Sequence, residues 1–375
     1  VSPLPQHLRA PVPTPTPDEG AAPQPAEGDR VGTGNGDITL TLVMPTVRLD
    51  GDFETSACRA LECLQGRGCA AEFIVAIDGL AITPPVWLDR PHVKIVATGS
   101  RSGPAVARNA AVAAARGEIL FFVDADVVLA PDAVERVLAA FAAAPDLAGV
   151  FGAYDDEPAA PGLVSQFRNL LHHHTHISHP GPATTFWTGC GAIRLKNILA
   201  VGGFDTRFTC PSIEDIDLGW RVTAAGGRIV IDPDLRCKHL KQWTLWSMIC
   251  TDVFARAVPW TQMLVTRHQM PATLAIDWKN RLSGVLALLF IAAAALAPFA
   301  AVAAGIAAVC GASIAVLHRD FYRLCQRKRG AWFALAAFAL HVLFFVYSSL
   351  TFGVVALGRA RGHSARQPTT AREST

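Results

Sequence analysis

From residue 38 onward the chain alternates short apolar runs rich in β-branched and aromatic residues with alanine-rich stretches of helical period. "ITLTLVMPT" (38–46), "EFIVAID" (72–78), "VKIVAT" (93–98) and "EILFFVDAD" (118–126) read as strands. "GPAVARNAAVAAARG" (103–117) and "PDAVERVLAAFAAA" (131–144) read as helices. Alternation of this kind predicts an α/β fold, a mostly parallel sheet flanked by helices, with ligands at the carboxyl ends of the strands. Asp78 and the pair Asp124 and Asp126 stand at such ends.

Toward the C-terminus the pattern changes to continuous apolar sequence. Residues 282–317 and most of 331–358 carry no charge, and both are long enough for a bilayer. As one helix the first would reach about 54 Å at ~1.5 Å per residue, well beyond a ~30 Å hydrocarbon core. Pro298 in "LAPFA" is the natural break, because proline removes a helical hydrogen bond. Two or three spans are therefore expected, with three favoured. The basic stretch "HRDFYRLCQRKRG" (318–330) should stay cytoplasmic, as should everything before residue 281. One long tilted helix is the rival, and the basic tail (Arg359, Arg361, Arg366, Arg372) favours it. Between domain and spans, "QWTLWSMICTDVFARAVPW" (242–260) puts Trp243, Trp246, Ile249, Val253, Phe254 and Ala257 near one helical face, with Thr251 and Asp252 elsewhere. Such a helix can lie in a membrane interface or pack on a core.

Composition agrees with a cell-membrane, multi-pass protein carrying a cytoplasmic domain. The 375 residues are 51% hydrophobic and 17% charged, with mean hydropathy +0.31, enough to bury one soluble domain and leave apolar sequence over. A net charge of +2 favours no nucleic-acid partner. Residues 1–37 are rich in Pro, Gly and Ala and should be a disordered tail. They have no apolar h-region, so a secretory signal is not expected. The nine cysteines are scattered without C-x-x-C pairs, as reduced thiols would be. The expected segments are thus 1–37, the α/β domain 38–241, an interfacial helix and linker 242–281, the spans 282–358, and a basic tail 359–375.

"FFVDADVV" (121–128) raises a question of charge: an apolar run leads to two carboxylates with no basic residue beside them in sequence. At i and i+2 they can face one side of an extended strand end, and a hard divalent cation would supply the missing charge. A solvated turn is the plainer alternative. The run "HHHTHISH" (172–179) shows no ligand-type spacing and reads as an exposed or acceptor-facing helix end.

Seven motifs, in order, carry a resemblance: "VMPT" (43–46), "AIDG" (76–79), "RSGPAVARN" (101–109), "DAD" (124–126), "FWTGCGAIR" (186–194), "GGFDTRF" (202–208) and "IEDIDLGWR" (213–221). Residues from about 40 to 260 resemble a family 2 glycosyltransferase of GT-A fold. That resemblance implies a metal-dependent inverting glycosyltransferase (hexosyltransferase) using a UDP- or GDP-sugar donor. Pro45, Thr46, Asp78, Arg101, Gly103, Arg108, Asn109 and Asp124 would then bind the nucleotide-sugar. Asp124 and Asp126, with His239 of "CKHLK", would hold Mn²⁺ or Mg²⁺ against the diphosphate. Asp215, with Glu214 as neighbour or substitute, would be the base that takes the acceptor hydroxyl's proton. Gly189, Cys190, Gly191, Asp217 and Arg221 would meet the sugar or acceptor. A tight turn is the alternative for Gly189 and Gly191, a loop cap for Asp78, and for Lys238 and Lys241 the choice is between solvent and phosphate. The processive members' Gln-x-x-Arg-Trp signature is replaced by "RAVPW" (256–260), which argues against a polysaccharide synthase. The acceptor is expected to be lipid-linked or membrane-proximal. A catalytically silent nucleotide-binding membrane scaffold is the alternative of another class, and polymer synthesis is the alternative within the enzyme class.

Overall fold

A computed structural model describes residues 39–65, 70–267 and 277–364, with side chains to 358 in the last helix. The expected tail at 1–37, and residues 365–375 of the expected basic tail, lie outside the described residues. Two units divide at Trp243 and Thr244.

In the first unit the four apolar runs form strands β1 (Leu40–Thr46), β2 (Ala71–Ile77), β3 (Val93–Ala97) and β4 (Ile119–Val123). Helix α1 (Gly51–Leu64) follows β1, and α2 (Pro104–Ala114) follows β3. Successive side chains of a strand point to opposite faces. Leu40, Leu42 and Met44 join the core containing Phe53 and Ala57 of α1, while Val43, on the alternate face, is equally buried. This is why the strands read as continuous apolar runs. Phe121 and Phe122 go to opposite faces and both are fully buried; each contributes roughly 1.5–3 kcal/mol by leaving water.

The chain continues through β5 (Val127–Leu129), α3 (Ala133–Ala143), β6 (Leu147–Tyr154), α4 (Leu163–Ile177), β7 (Gly181–Ala183), β8 (Cys190–Arg194), α5 (Leu195–Ala200), α6 (Glu214–Ala224) and β9 (Arg228–His239). The sheet runs β3-β2-β1-β4-β8-β6-β9-β5, with β7 also paired to β9. Strands β1 to β4 are mutually parallel. Antiparallel β8 inserts next to β4, and β6 and β9 pair in parallel beyond it. The mostly parallel α/β reading therefore holds, with its antiparallel insertion beside the acidic strand end.

Two local expectations are corrected. Strand β4 stops at Val123, and Asp124–Asp126 form a turn in which Val127 N donates to the Asp124 carbonyl at 3.0 Å. The chain must reverse here to let β5 pair with β9, so the two carboxylates belong to a turn and not to an extended strand end. The histidine run does end a helix, with Ser178 and His179 exposed, but most of it turns inward. His172, His173 and His176 lie within α4, and His173 and His176 are buried.

The second unit begins with α7 (Leu245–Cys250), a π-helical stretch (Thr251–Ala257) and α8 (Val258–Arg267). Of the residues expected on one apolar face, Trp246 and Phe254 are exposed and Trp243 is buried, while Asp252, expected away from that face, is buried as well. It accepts a 2.6 Å hydrogen bond from Tyr347 and one of 3.3 Å from Arg256, and the π-helical widening is where this carboxylate turns inward. Helix α9 (Trp278–Leu296) ends two residues before Pro298, and α10 (Ala301–Leu317) returns as an antiparallel partner, Phe290 packing on Gly311. Helix α11 (Arg319–Arg329) follows at a 76° bend, then α12 (Ala331–Ser364). Among the described residues α9 and α12 are long and apolar enough to cross a membrane, and the bent pair α10–α11 would make a third span.

Candidate active site

The parallel strands deliver their carboxyl ends to one side, and the acidic residues gather there. Asp78 follows β2 and is buried. Its Oδ1 accepts from Ser102 N at 2.7 Å, and Gly103 N lies 3.2 and 3.1 Å from its two oxygens. It thus secures the loop entering α2. Gly103 has φ +99°, and a Cβ there would meet the Thr209 backbone at 2.6 Å, so only glycine fits. Arg101 is exposed beside this loop. At the end of β1, Thr46 is buried with its hydroxyl donating to the Arg48 carbonyl, and Pro45 is half-buried.

The basic partner absent beside Asp124 in sequence comes from α2. Arg108, 5% exposed, donates to Asp124 at 3.1 Å and to Glu214 at 2.7 Å, so one guanidinium ties the end of β4 to the start of α6. Burial raises the Asp124 pKa; Arg108 pulls it back, while Asp126 and Glu214 push it further up. Asn109, expected at the nucleotide, exchanges two 2.8 Å hydrogen bonds with the Phe204 backbone, which commits its amide to the "GGFD" loop.

Glu214 and Asp215 are adjacent but differently placed. Glu214 is buried, held by Arg108 and by Ser212 N at 2.8 Å. Asp215 keeps partial exposure and accepts from the Thr188 N–H at 3.2 Å and hydroxyl at 3.4 Å. Burial, then the neighbouring Glu214 charge, push its pKa up to about 7 against the pull of Arg108. Of the two acids, Asp215 is the one that keeps solvent access, and its raised pKa gives it a proton affinity suited to neutral pH. Asp217 is buried and accepts from Arg221 at 2.7 Å, and Arg221 also donates to the Val201 carbonyl at 2.7 Å. That pair anchors α6 to the end of α5, so these side chains are engaged in packing.

Asp126 meets His239 through register: β5 and β9 pair Val127 with His239, and Leu240 N donates to the Asp126 carbonyl at 2.9 Å. His239 Nε2 stands 3.5 Å from Asp126 Oδ2. Burial works against the Asp126 charge, but His239 and Lys241 overcome it and hold the pKa below its ordinary value. Among the described residues no group of three or more His, Cys, Asp or Glu forms a ready metal cage. Asp124 gives Oδ1 to Arg108, and Asp126 and His239 stand together as a donor pair. Their spacing is near the roughly 3 Å that ~2.1 Å bonds impose on neighbouring ligands of an octahedral ion. An ion that completes its shell with substrate phosphates and water needs no more than one or two protein donors. Lys238, beside His239, is paired to Asp155 at 2.7 Å.

Cys190 and Gly191 pair with Val123 and Phe122 in the β4–β8 ladder, and Gly189 O accepts from Asp124 N at 3.4 Å. A Cβ at Gly189 would run into the Trp187 indole, so this glycine makes room for a side chain of the protein itself. Trp187 packs against Tyr154, His172 and His176. Three residues of this region were given no role by the sequence reading: Thr188, which holds Asp215, Tyr154, which stacks on His239, and Trp187, which packs on Tyr154; the last and the first lie inside the quoted "FWTGCGAIR" motif. Only the position of Tyr154 at a strand end, before "DDE", could have pointed to it.

Residues 74–202 match the family model described as glycosyl transferase family 2. No curated protein matches the chain. Among solved structures it is similar to a mannosyltransferase (PcManGT) from Pyrobaculum calidifontis in complex with GDP-Man and Mn²⁺, at 16% identity over 85% of this chain and 86% of that one, TM-score 0.50. It is more distantly similar to GalNAc-T7 with UDP, GalNAc and Mn²⁺ (15%, 58% and 48% covered, TM-score 0.43). S. aureus TarS stands at 15%, 54% and 37% covered, TM-score 0.41. The first likeness gives the chain the GT-A fold, followed by long apolar helices, and the family 2 match lies inside the first unit.

Proposed function

We propose that the protein is a metal-dependent inverting glycosyltransferase that moves a hexose from a UDP- or GDP-sugar to a lipid-linked or membrane-proximal acceptor. The observation that carries this reading is Asp215: a partly exposed carboxylate with a pKa near 7, joined through Glu214 and Arg108 to Asp124. A general base works best with a pKa near the working pH.

In this reading Asp215 takes the acceptor hydroxyl's proton as the oxygen attacks the anomeric carbon, while Thr188 holds its Oδ2 in place and leaves Oδ1 to its own helix start. Glu214, held by Arg108, raises the proton affinity of Asp215. Asp126 and His239 would hold the divalent cation, with Asp124 on the nucleotide-sugar side. That ion would offset charge on the departing diphosphate. Asp78 fixes the Ser102–Gly103 loop, so Pro45, Thr46, Asp78 and Arg101 frame the nucleotide. The second unit anchors the enzyme in the membrane, with the catalytic unit on the cytoplasmic side where nucleotide sugars are made.

The test is a donor screen with purified full-length protein in detergent and Mn²⁺, reading nucleoside diphosphate release from UDP- and GDP-sugars. The similar Pyrobaculum mannosyltransferase, with GDP-Man and Mn²⁺, puts that donor first. Release with one donor, lost in Asp215→Asn, is expected. Binding of nucleotide without turnover of any donor, with a membrane extract as acceptor, would favour the silent scaffold.

A further inference from the structure

His239 approaches Asp126 with one ring nitrogen, but a metal-binding imidazole also needs its plane fixed. That is commonly done by a hydrogen bond from the other nitrogen to a carboxylate or carbonyl. Among the described residues no such bond to His239 is found. Its ring instead lies flat on Tyr154, centroids 4.5 Å apart and planes 9° apart. The sheet explains the contact. Strands β6 and β9 pair Tyr154 with Cys237, so His239, two residues on, is the diagonal neighbour on the same face.

Tyr154 is itself immobilised. The His172 ring lies 4.2 Å from it, tilted by 34°, so Tyr154 packs against two imidazoles. Trp187 meets its edge at 5.0 Å and 88°, and His173 Nδ1 lies 2.6 Å from its carbonyl oxygen. The phenol hydroxyl has no hydrogen-bond partner among the described residues, so it is the ring that makes these contacts. The series runs from the histidine-rich helix α4 through Tyr154 to His239 and ends at Asp126.

We infer that Tyr154 is a positioning residue, whose ring, clamped by His172 and Trp187, holds the His239 imidazole so that Nε2 and the Asp126 carboxylate face a divalent cation together. This rests on the reading that Asp126 and His239 hold that ion. It gives the histidine run a role in building the site from behind rather than in binding metal or acceptor itself.

The experiment titrates Mn²⁺ into full-length protein in detergent with GDP, and separately with UDP, following the loss of the free Mn²⁺ electron paramagnetic resonance signal. Melting temperatures serve as the folding control. Tyr154→Leu should weaken Mn²⁺ binding by roughly 10- to 100-fold, the range for loss of an orienting partner. Tyr154→Phe, which keeps the ring, should restore affinity to within about twofold of the native protein, and Tyr154→Leu added to His239→Ala should weaken it no further. If Tyr154→Leu does not fold, Tyr154→Met is read in its place. Native affinity in the leucine or methionine variant, with affinity lost in His239→Ala, overturns the inference and leaves the metal reading standing. A tenfold loss in Tyr154→Phe also overturns it, because the hydroxyl would then be acting. Indifference of Mn²⁺ binding to both Asp126→Ala and His239→Ala removes the metal reading, and the inference with it.

Discussion

Replacing Asp215 by asparagine separates catalysis from stability in one variant. The carboxyl has a pKa raised from 3.8 to about 7, first by burial and then by Glu214. At ~1.4 kcal/mol per tenfold change in proton affinity, that gap corresponds to about 4 kcal/mol. Solvent access to the side chain makes this an upper bound, and ~1–2 kcal/mol is the working expectation. The sign follows from proton linkage: the folded state binds the proton more tightly than the unfolded chain, so the contribution is fully present below pH ~4. It is lost as pH rises through about 7. Asparagine cannot ionise, and its oxygen still accepts from Thr188. Asp215→Asn should therefore melt above the native protein at pH 8 and alongside it at pH 4. Over the same range kcat should fall by ~10²- to 10⁴-fold, with nucleotide affinity nearly unchanged. In the native enzyme kcat/KM should rise with pH through about 7 and level off. Diphosphate release, nucleotide titration and melting temperature between pH 4 and 8.5 supply the readouts. A flat rate profile from pH 6 to 8.5, or collapse of nucleotide affinity in the variant, would refute the assignment and turn attention to Glu214.

Asp126→Ala removes a side chain one third exposed, so it should abolish turnover without lowering the melting temperature, and EDTA should do the same to the native enzyme; full activity in EDTA would contradict both. Arg108→Met leaves Asp124 and Glu214 without their shared cation, and breaking such a buried pair should destabilise the fold by about 3–5 kcal/mol; a melting temperature within 2 °C of native, as an approximate threshold, would show that the two acids share a proton instead. If α9 and α10 are separate spans, a cysteine label in residues 320–328 should react only from the side on which the catalytic unit reacts, and labelling from the opposite side would rule out a hairpin at Pro298.

Local sequence determined the elements whose stability is local. Strands β1 to β4 and helices α2 and α3 follow from apolar runs and alanine-rich stretches whose ends lie within a few residues of the expected ones. The break near Pro298 follows from a missing backbone donor. Candidate acids were also legible, because Asp78, Asp124, Asp126 and Asp215 stand where strands or helices begin or end. What sequence could not supply was their partners. Asp124 is neutralised by Arg108, sixteen residues earlier, and the same guanidinium reaches Glu214, 106 residues beyond it. The choice between Glu214 and Asp215 depends on which carboxylate that guanidinium occupies and which keeps water. The histidines of α4 looked like a polar helix end until β6 and β8 brought Tyr154 and Trp187 against them. Asp252, placed by periodicity away from the apolar face, is buried because the helix widens there and Tyr347 offers a donor. Local propensity acts over a few residues, whereas the charge, orientation and proton affinity of a site depend on groups within a few ångströms, and only the completed fold decides which groups those are.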